Sequence, residues 1–168
     1  QEFAEQALSL AQQTSDHTVF LIAHCLLATL STTRGRFLAA REHFDEGFRL
    51  YDPQRHPVLA LIYGDDPGVI CRSLGGFNLW FLGYPDQALQ HAQAGLALAH
   101  ALALPYNLTF ALDIVTWTHF YRGEPQAAKT CLASLLPLVH EQGFEFFAAE
   151  SALLQGWVMT EQGREDEG

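Results

Sequence analysis

The chain has 168 residues, 49% hydrophobic and 17% charged, which is enough apolar material for one well-buried domain or a short repeat array. Nine Lys and Arg against 19 Asp and Glu give a net charge of -10, which repels phosphate backbones, so no nucleic acid partner is expected. The apolar runs are broken by Asp, His, Gln or Gly before the roughly 18 residues a membrane-spanning helix needs, and no signal peptide precedes them, so no membrane partner is expected either.

The chain enters on a helix-like stretch, Glu2-Phe3-Ala4-Glu5-Gln6-Ala7-Leu8, and the next helical stretch closes at Gly35. Gly35 opens the phrase Gly35-Arg36-Phe37-Leu38-Ala39-Ala40, and a second helix follows it to about Leu50. An irregular segment, Asp52 to Gly68, comes next; Asp66 reads as an N-cap ahead of Pro67, a first-turn proline whose missing N–H costs little. From there the rhythm is regular. Gly83, Gly123 and Gly163 follow at intervals of 40 residues, with Gly83-Tyr84-Pro85-Asp86-Gln87-Ala88 and Gly123-Glu124-Pro125-Gln126-Ala127-Ala128 repeating the phrase. Pro85, Pro105 and Pro125 suit helix starts, and Gly83, Gly123 and Gly143 suit helix stops. The chain leaves on Arg164-Glu165-Asp166-Glu167-Gly168.

Such a period denotes stacked supersecondary units, here antiparallel helix pairs around each glycine. Residues 1–168 are therefore expected to form one helical-repeat domain, with repeats over 1–15 (partial), 16–52, 66–103, 105–142 and 144–168 (partial), and an insertion at 53–65. Both ends read as cuts through an array, that is, a fragment of a longer chain, and terminal repeats left open would let two copies pair. Fifteen residues after the glycine stand Leu50, Leu98 and Leu138, matched by Leu10, a column expected to be a repeated core contact. Ala40, Ala88 and Ala128, five after it, and Ala28, Gly76, Thr116 and Gly156, seven before it, are small enough for close helix approach. Nine before it, Leu26, Leu74, Ile114 and Leu154 are all aliphatic.

The small residue of the first helix, the turn glycine and the alanine five residues on resemble a degenerate tetratricopeptide repeat stretched from about 34 residues to 40. The early aromatic of that repeat is missing, because His24, Arg72, Leu112 and Ala152 stand there. Three stretches, Tyr51-Asp52-Pro53-Gln54-Arg55-His56, Tyr63-Gly64-Asp65-Asp66-Pro67-Gly68-Val69 and Leu82-Gly83-Tyr84-Pro85-Asp86-Gln87-Ala88-Leu89, resemble the helical tails of large bacterial signalling ATPases. In that family a nucleotide-binding module, often preceded by a cyclase or kinase-like domain, comes before such repeats. The resemblance implies an all-α superhelix, a right-handed tetratricopeptide-like α-solenoid of antiparallel helix pairs. It also implies a non-catalytic tail for interaction or sensing, with a protein or peptide partner or other domains of the parent chain, and no cofactor.

In such a solenoid the first helices line the concave face. Six residues before each glycine stand Thr29, Phe77, Trp117 and Trp157; three before it, Thr32, Trp80, Phe120 and Thr160; two before it, Thr33, Phe81, Tyr121 and Glu161. Spacings of three and four put these on one helical face, which gathers all three tryptophans of the chain. Ten before the glycine, Cys25, Ser73, Asp113 and Leu153 add one carboxylate. The candidate binding residues are Phe77, Trp80, Phe81, Asp113, Trp117, Phe120, Tyr121 and Trp157. They line either a groove for a helix, a peptide or a stacked small ligand, or they fill the space between helices.

Other chemistries lack their motifs. Ser73 is outside any Gly-x-Ser-x-Gly frame, and Gly64-Asp65-Asp66-Pro67-Gly68 lacks the Lys of a phosphate loop. Asp52, Asp65 and Asp66 lack the alternating spacing of a calcium loop and are read as turn and cap residues. His43 and His91 share a column, as do His119 and Met159, about 10 Å apart at typical helix spacing, too far for joint ligation. His24 next to Cys25 is read as structural. The only lysine is Lys129, too few for a basic clamp on a peptide carboxylate. Neither a catalytic set nor a metal site is expected. Cys25, Cys71 and Cys131, distant in sequence and without a CxxC pair, read as reduced thiols of a cytoplasmic protein rather than a disulfide framework.

Overall fold

The computed structural model describes residues 2–14 and 16–163, and among these every regular element is a helix. In chain order they are α1 (Glu2–Thr14), α2 (His17–Thr33), α3 (Phe37–Leu50), α4 (Val58–Tyr63), α5 (Pro67–Phe81), α6 (Pro85–Leu102), α7 (Pro105–Tyr121), α8 (Pro125–Gln142) and α9 (Glu145–Glu161). The stretch Arg164 to Gly168 lies outside the described residues. Among the described residues no helix is long and apolar enough to cross a membrane.

The helix boundaries follow from local chemistry. Asp16 caps α2 by accepting from the N–H of Thr18 at 2.8 Å, and Asp66 caps α5 by accepting from Val69 N–H at 3.0 Å, each satisfying an orphan first-turn donor. Proline occupies the first turn of α5, α6, α7 and α8. The turn after each first helix is the same structure three times. Gly35, Gly83 and Gly123 take φ of 70°, 86° and 66°, and the next N–H reaches back to a carbonyl of the last turn: Arg36 to Ser31 at 2.8 Å, Tyr84 to Leu79 at 3.0 Å, Glu124 to His119 at 3.0 Å. Only glycine enters that left-handed region without strain, and the 6→1 bond satisfies an otherwise open carbonyl.

Consecutive helices pack antiparallel as α2·α3, α5·α6 and α7·α8, with α1 against α2 and α9 against α8. Successive first helices also touch, α2 with α5, α5 with α7 and α7 with α9, whereas α3, α6 and α8 make no comparable mutual contact among the described residues. The first helices therefore form a continuous inner layer, and their higher burial reflects it.

The core columns are set by close approach. Ala40, Ala88 and Ala128 are fully buried. A Cβ added to Gly76 would stand 2.7 Å from the Ala88 carbonyl oxygen and 2.8 Å from Ala92 N, so α5 and α6 cross backbone to backbone. The leucine column touches the core from its margin, Leu50, Leu98 and Leu138 each packing against a buried cluster. Leu10 is 53% exposed and Leu50, Leu98 and Leu138 are only half-buried, because the residues one position later, Ala11, Ala99 and Val139, point into the core. Spacings of four, three and four from the conserved-size alanine (Ala128, Leu132, Leu135, Val139) mark the true buried face of the second helices.

The irregular segment contains a short helix, α4, and is tied down at both ends. Asp52 accepts from Gln54 N–H at 2.9 Å, and His56 Nδ1 accepts from Asp52 N–H at 2.8 Å. Across the layer, Asn107 of α7 accepts from Asp66 N–H at 2.7 Å and donates to the Gly64 carbonyl at 3.4 Å. Tyr51 donates its hydroxyl to Asp66 at 3.0 Å, so the capping carboxylate is fixed by two elements.

Candidate functional site

The exposed side of the first-helix layer carries a groove of about 430 Å³. Phe77 of α5 forms one wall; Tyr106, Phe110, Asp113, Ile114, Trp117 and Tyr121 of α7 form the floor; Phe146, Phe147 and Glu150 of α9 form the other wall. The floor residues lie three, four and seven apart, one stripe along α7. Helix α7 has little amphipathic contrast because it is covered by partners on several sides, and this stripe is where that cover is incomplete.

Four of the eight residues singled out from the sequence, Phe77, Asp113, Trp117 and Tyr121, line this groove. The other four brace it. Tyr121 contacts Phe77 at a ring separation of 5.6 Å, Trp80 at 4.6 Å, Trp117 at 5.9 Å and Phe120 at 5.3 Å, while Phe81 lies edge-on to Phe77 at 5.1 Å. Phe120 meets Trp157 of α9 at 4.8 Å, so one run of ring contacts ties α5, α7 and α9 together near their C-terminal ends. Edge-to-face pairs of this kind contribute about 0.5–1.5 kcal/mol each beyond area burial. The strip is thus shared between two kinds of contact: Phe77, Asp113, Trp117 and Tyr121 line a groove that runs along α7 from Tyr106 to Tyr121, while Trp80, Phe81, Phe120 and Trp157 meet other rings near the turns.

Sequence reasoning missed Tyr106, Phe110, Phe146, Phe147 and Glu150. A signal was present. Phe110 and Tyr106 stand three and seven residues before Asp113, on its own stripe, and Glu150 stands 40 residues after Phe110 in the same repeat column.

Asp113 is 3% exposed, and its Oδ1 has no hydrogen-bond partner. Burial, the charge of Glu150 and a hydrogen bond with Glu150 push its carboxyl up to about 8. Glu150 is also raised, by burial, although its hydrogen bond with Asp113 works the other way. The Asp113 carboxyl is therefore favoured in its neutral, protonated form near neutral pH. Among the described residues no lysine, arginine or histidine lines the groove.

A second, more apolar groove of about 510 Å³ adjoins the first and shares Phe110 with it; Ile22, Leu26, Ile70, Leu74 and Tyr63 are among its walls. Beside it α4 exposes Leu61 and Ile62, at 75% and 65%.

The histidine and cysteine placements differ from a reading by column. His43 pairs with His24 across the α2·α3 contact, Nδ1 to Nδ1 at 3.0 Å, and burial followed by the His43 charge lowers the His24 pKa. His119 is bound to Glu124 at 2.7 Å, and Arg122 links Glu124 to Asp86 of the preceding repeat. Cys25 and Cys71, remote in sequence, bring their sulfurs to 3.0 Å as free thiols, and this contact and burial raise the Cys71 pKa. Among the described residues no three His, Cys, Asp or Glu side chains are grouped to hold a metal ion. Comparison with known protein families and with curated proteins finds no match to the chain.

Proposed function

We propose that the chain is a non-catalytic sensor module of tetratricopeptide-like type, an α-solenoid that takes a small ligand in the aromatic groove on its first-helix face. The observation that carries this reading is the Asp113 carboxyl, buried and partly unpaired at the floor of a ring-lined groove. A groove of about 430 Å³ is within the range of small-molecule sites, apolar walls with a few convergent polar groups being their usual build. The mutual contact of successive first helices, without the same among second helices, supports an inner, concave placement of that face. The setting proposed is the cytoplasm, as the regulatory region of a larger bacterial signalling protein, on the resemblance of its turns and on its free thiols.

Tryptophan emission of the whole chain, titrated with a metabolite library, tests the reading. Trp117 lies in the groove, so a ligand there shifts its emission, and Trp117→Phe removes the shift while circular dichroism stays helical. Absence of any response across the library would refute it.

A second reading, protein–protein interaction, is favoured by one observation: the exposed Leu61 and Ile62 of α4 beside the second apolar groove. Here the partner would be a protein, a peptide or another domain of the parent chain. Replacing both with Ser should abolish capture of that partner and leave the small-ligand response intact.

A further inference from the structure

We infer that the groove between α5, α7 and α9 recognises a small organic monocation, an ammonium group attached to a flat or compact apolar body, with Asp113 and Glu150 receiving the charge. The inference rests on the ligand-binding reading above and names the class of ligand.

The polar inventory of the groove decides the charge. Among the described residues its ionisable lining is Asp113 and Glu150, with the phenols of Tyr106 and Tyr121, and no lysine, arginine, histidine, asparagine or glutamine joins them. Two carboxyl groups supply acceptors, and Asp113 Oδ1 is an acceptor left without a donor at 3% residue exposure. A buried acceptor without a donor is costly, and a donor-rich ligand removes that cost. A neutral polyol would need donors and acceptors in balance from the walls, and an anion would meet two carboxyl groups. An ammonium group brings three N–H donors and one positive charge and fits both deficits.

The walls decide the rest. Phe77, Phe110, Trp117, Tyr121 and Phe147 present rings around the carboxyl pair. Ring faces attract a cation within about 6 Å and stack on a flat apolar body, so one set of walls serves both parts of the ligand. The volume of about 430 Å³ limits that body to a small molecule. The chain's net charge of -10 favours approach of a cation over an anion. Burial and Glu150 push the Asp113 carboxyl up to about 8, so it holds a proton near neutrality whose place an ammonium group would take.

The test compares phenethylammonium with 2-phenylethanol, its neutral counterpart, by isothermal titration on the whole chain. The ammonium compound is expected to bind at least tenfold more tightly. Asp113→Asn and, separately, the less buried Glu150→Gln should each remove most of that preference while 2-phenylethanol binding stays within about twofold; circular dichroism and an unfolding midpoint verify the fold of each variant. Equal binding of the two compounds would overturn the cation assignment and leave the groove reading standing. So would wild-type ammonium affinity in both folded variants. Binding of neither compound would overturn the assignment too, and the library titration would then decide the groove reading separately. A lysine-bearing peptide that binds where phenethylammonium does not would overturn the small-ligand part.

Discussion

Replacing Asp113 with Asn should stabilise the protein, and more so as pH rises. An unfolded chain loses the Asp113 proton near 3.8, whereas the folded protein holds it to about 8. Between those values the native state binds the extra proton, so stability falls with rising pH, by at most about 1.4 kcal/mol per pH unit, and levels off above the folded value. At pH 7 the gap from 3.8 is about three units, a ceiling of about 4 kcal/mol. Glu150 is only half-buried, so relaxation of the pair and solvent lower this, and about 1–3 kcal/mol is expected. Asn carries no charge to desolvate, and its amide can donate to Glu150. Urea denaturation of both proteins at pH 5 and pH 8, at unchanged m, measures the effect. The difference should be near 1 kcal/mol or less at pH 5 and largest at pH 8. A variant less stable than wild type at pH 8, or a difference identical at both pH values, would refute the reasoning.

Gly76→Ala should destabilise by about 2–3 kcal/mol in the same assay, because its Cβ meets backbone atoms of Ala88 and Ala92 that cannot step aside. The adjacent Gly75→Ala, whose Cβ would lie 3.4 Å from Phe44 Cβ, should be near neutral and serves as its control. Ala103, at φ 53°, holds the left-handed position that Gly143 fills one repeat later, so Ala103→Gly should raise stability by about 0.5–1 kcal/mol. Asn107→Ala should leave the buried Asp66 N–H unpaired, costing about 1–3 kcal/mol, and hydrogen exchange should quicken over 58–66. The folded His24 pKa lies below 6.5, so stability is full above that value and declines as pH falls through it; His24→Phe should flatten that decline, and an NMR titration reads the pKa directly.

Much of this architecture is legible in the chain because a repeat prints the same constraint several times. Gly35, Gly83 and Gly123 share one turn geometry, and the small columns at Ala88 and Gly76 share one helix crossing. The leucine column marks the margin of the buried face rather than its centre, for a physical reason. A half-buried leucine at the margin of a helix face repeats as faithfully as an alanine at its centre, and composition alone does not separate margin from centre. What stays illegible is contact between columns of different repeats. Cys25 with Cys71 and Asp113 with Glu150 each join residues whose positions relative to their glycines differ, so no alignment of copies with one another pairs them. Those contacts depend on how far one helix pair is rotated against the next, which is a property of packing rather than of the period.

Among the described residues three buried side-chain oxygens have no hydrogen-bond partner, those of Ser73, Ser151 and Asp113, and they are not equivalent. Ser73 sits opposite Gly95, where a Cβ would collide with its hydroxyl, and Ser151 shares a column with Ala23, Cys71 and Ala111, all buried and small. At both sites size explains the residue, and a serine hydroxyl can swing toward a carbonyl of its own preceding turn. Asp113 has neither excuse. Its column holds Cys25, Ser73 and Leu153 in the other repeats, so the fold does not require a carboxylate there, and the side chain raises the cost of folding at the working pH. Residues that break a local rule without structural need are expected where function resides. If Asp113→Asn gains stability and loses the preference for phenethylammonium over 2-phenylethanol, one substitution will have separated what the fold wants at this position from what the groove uses.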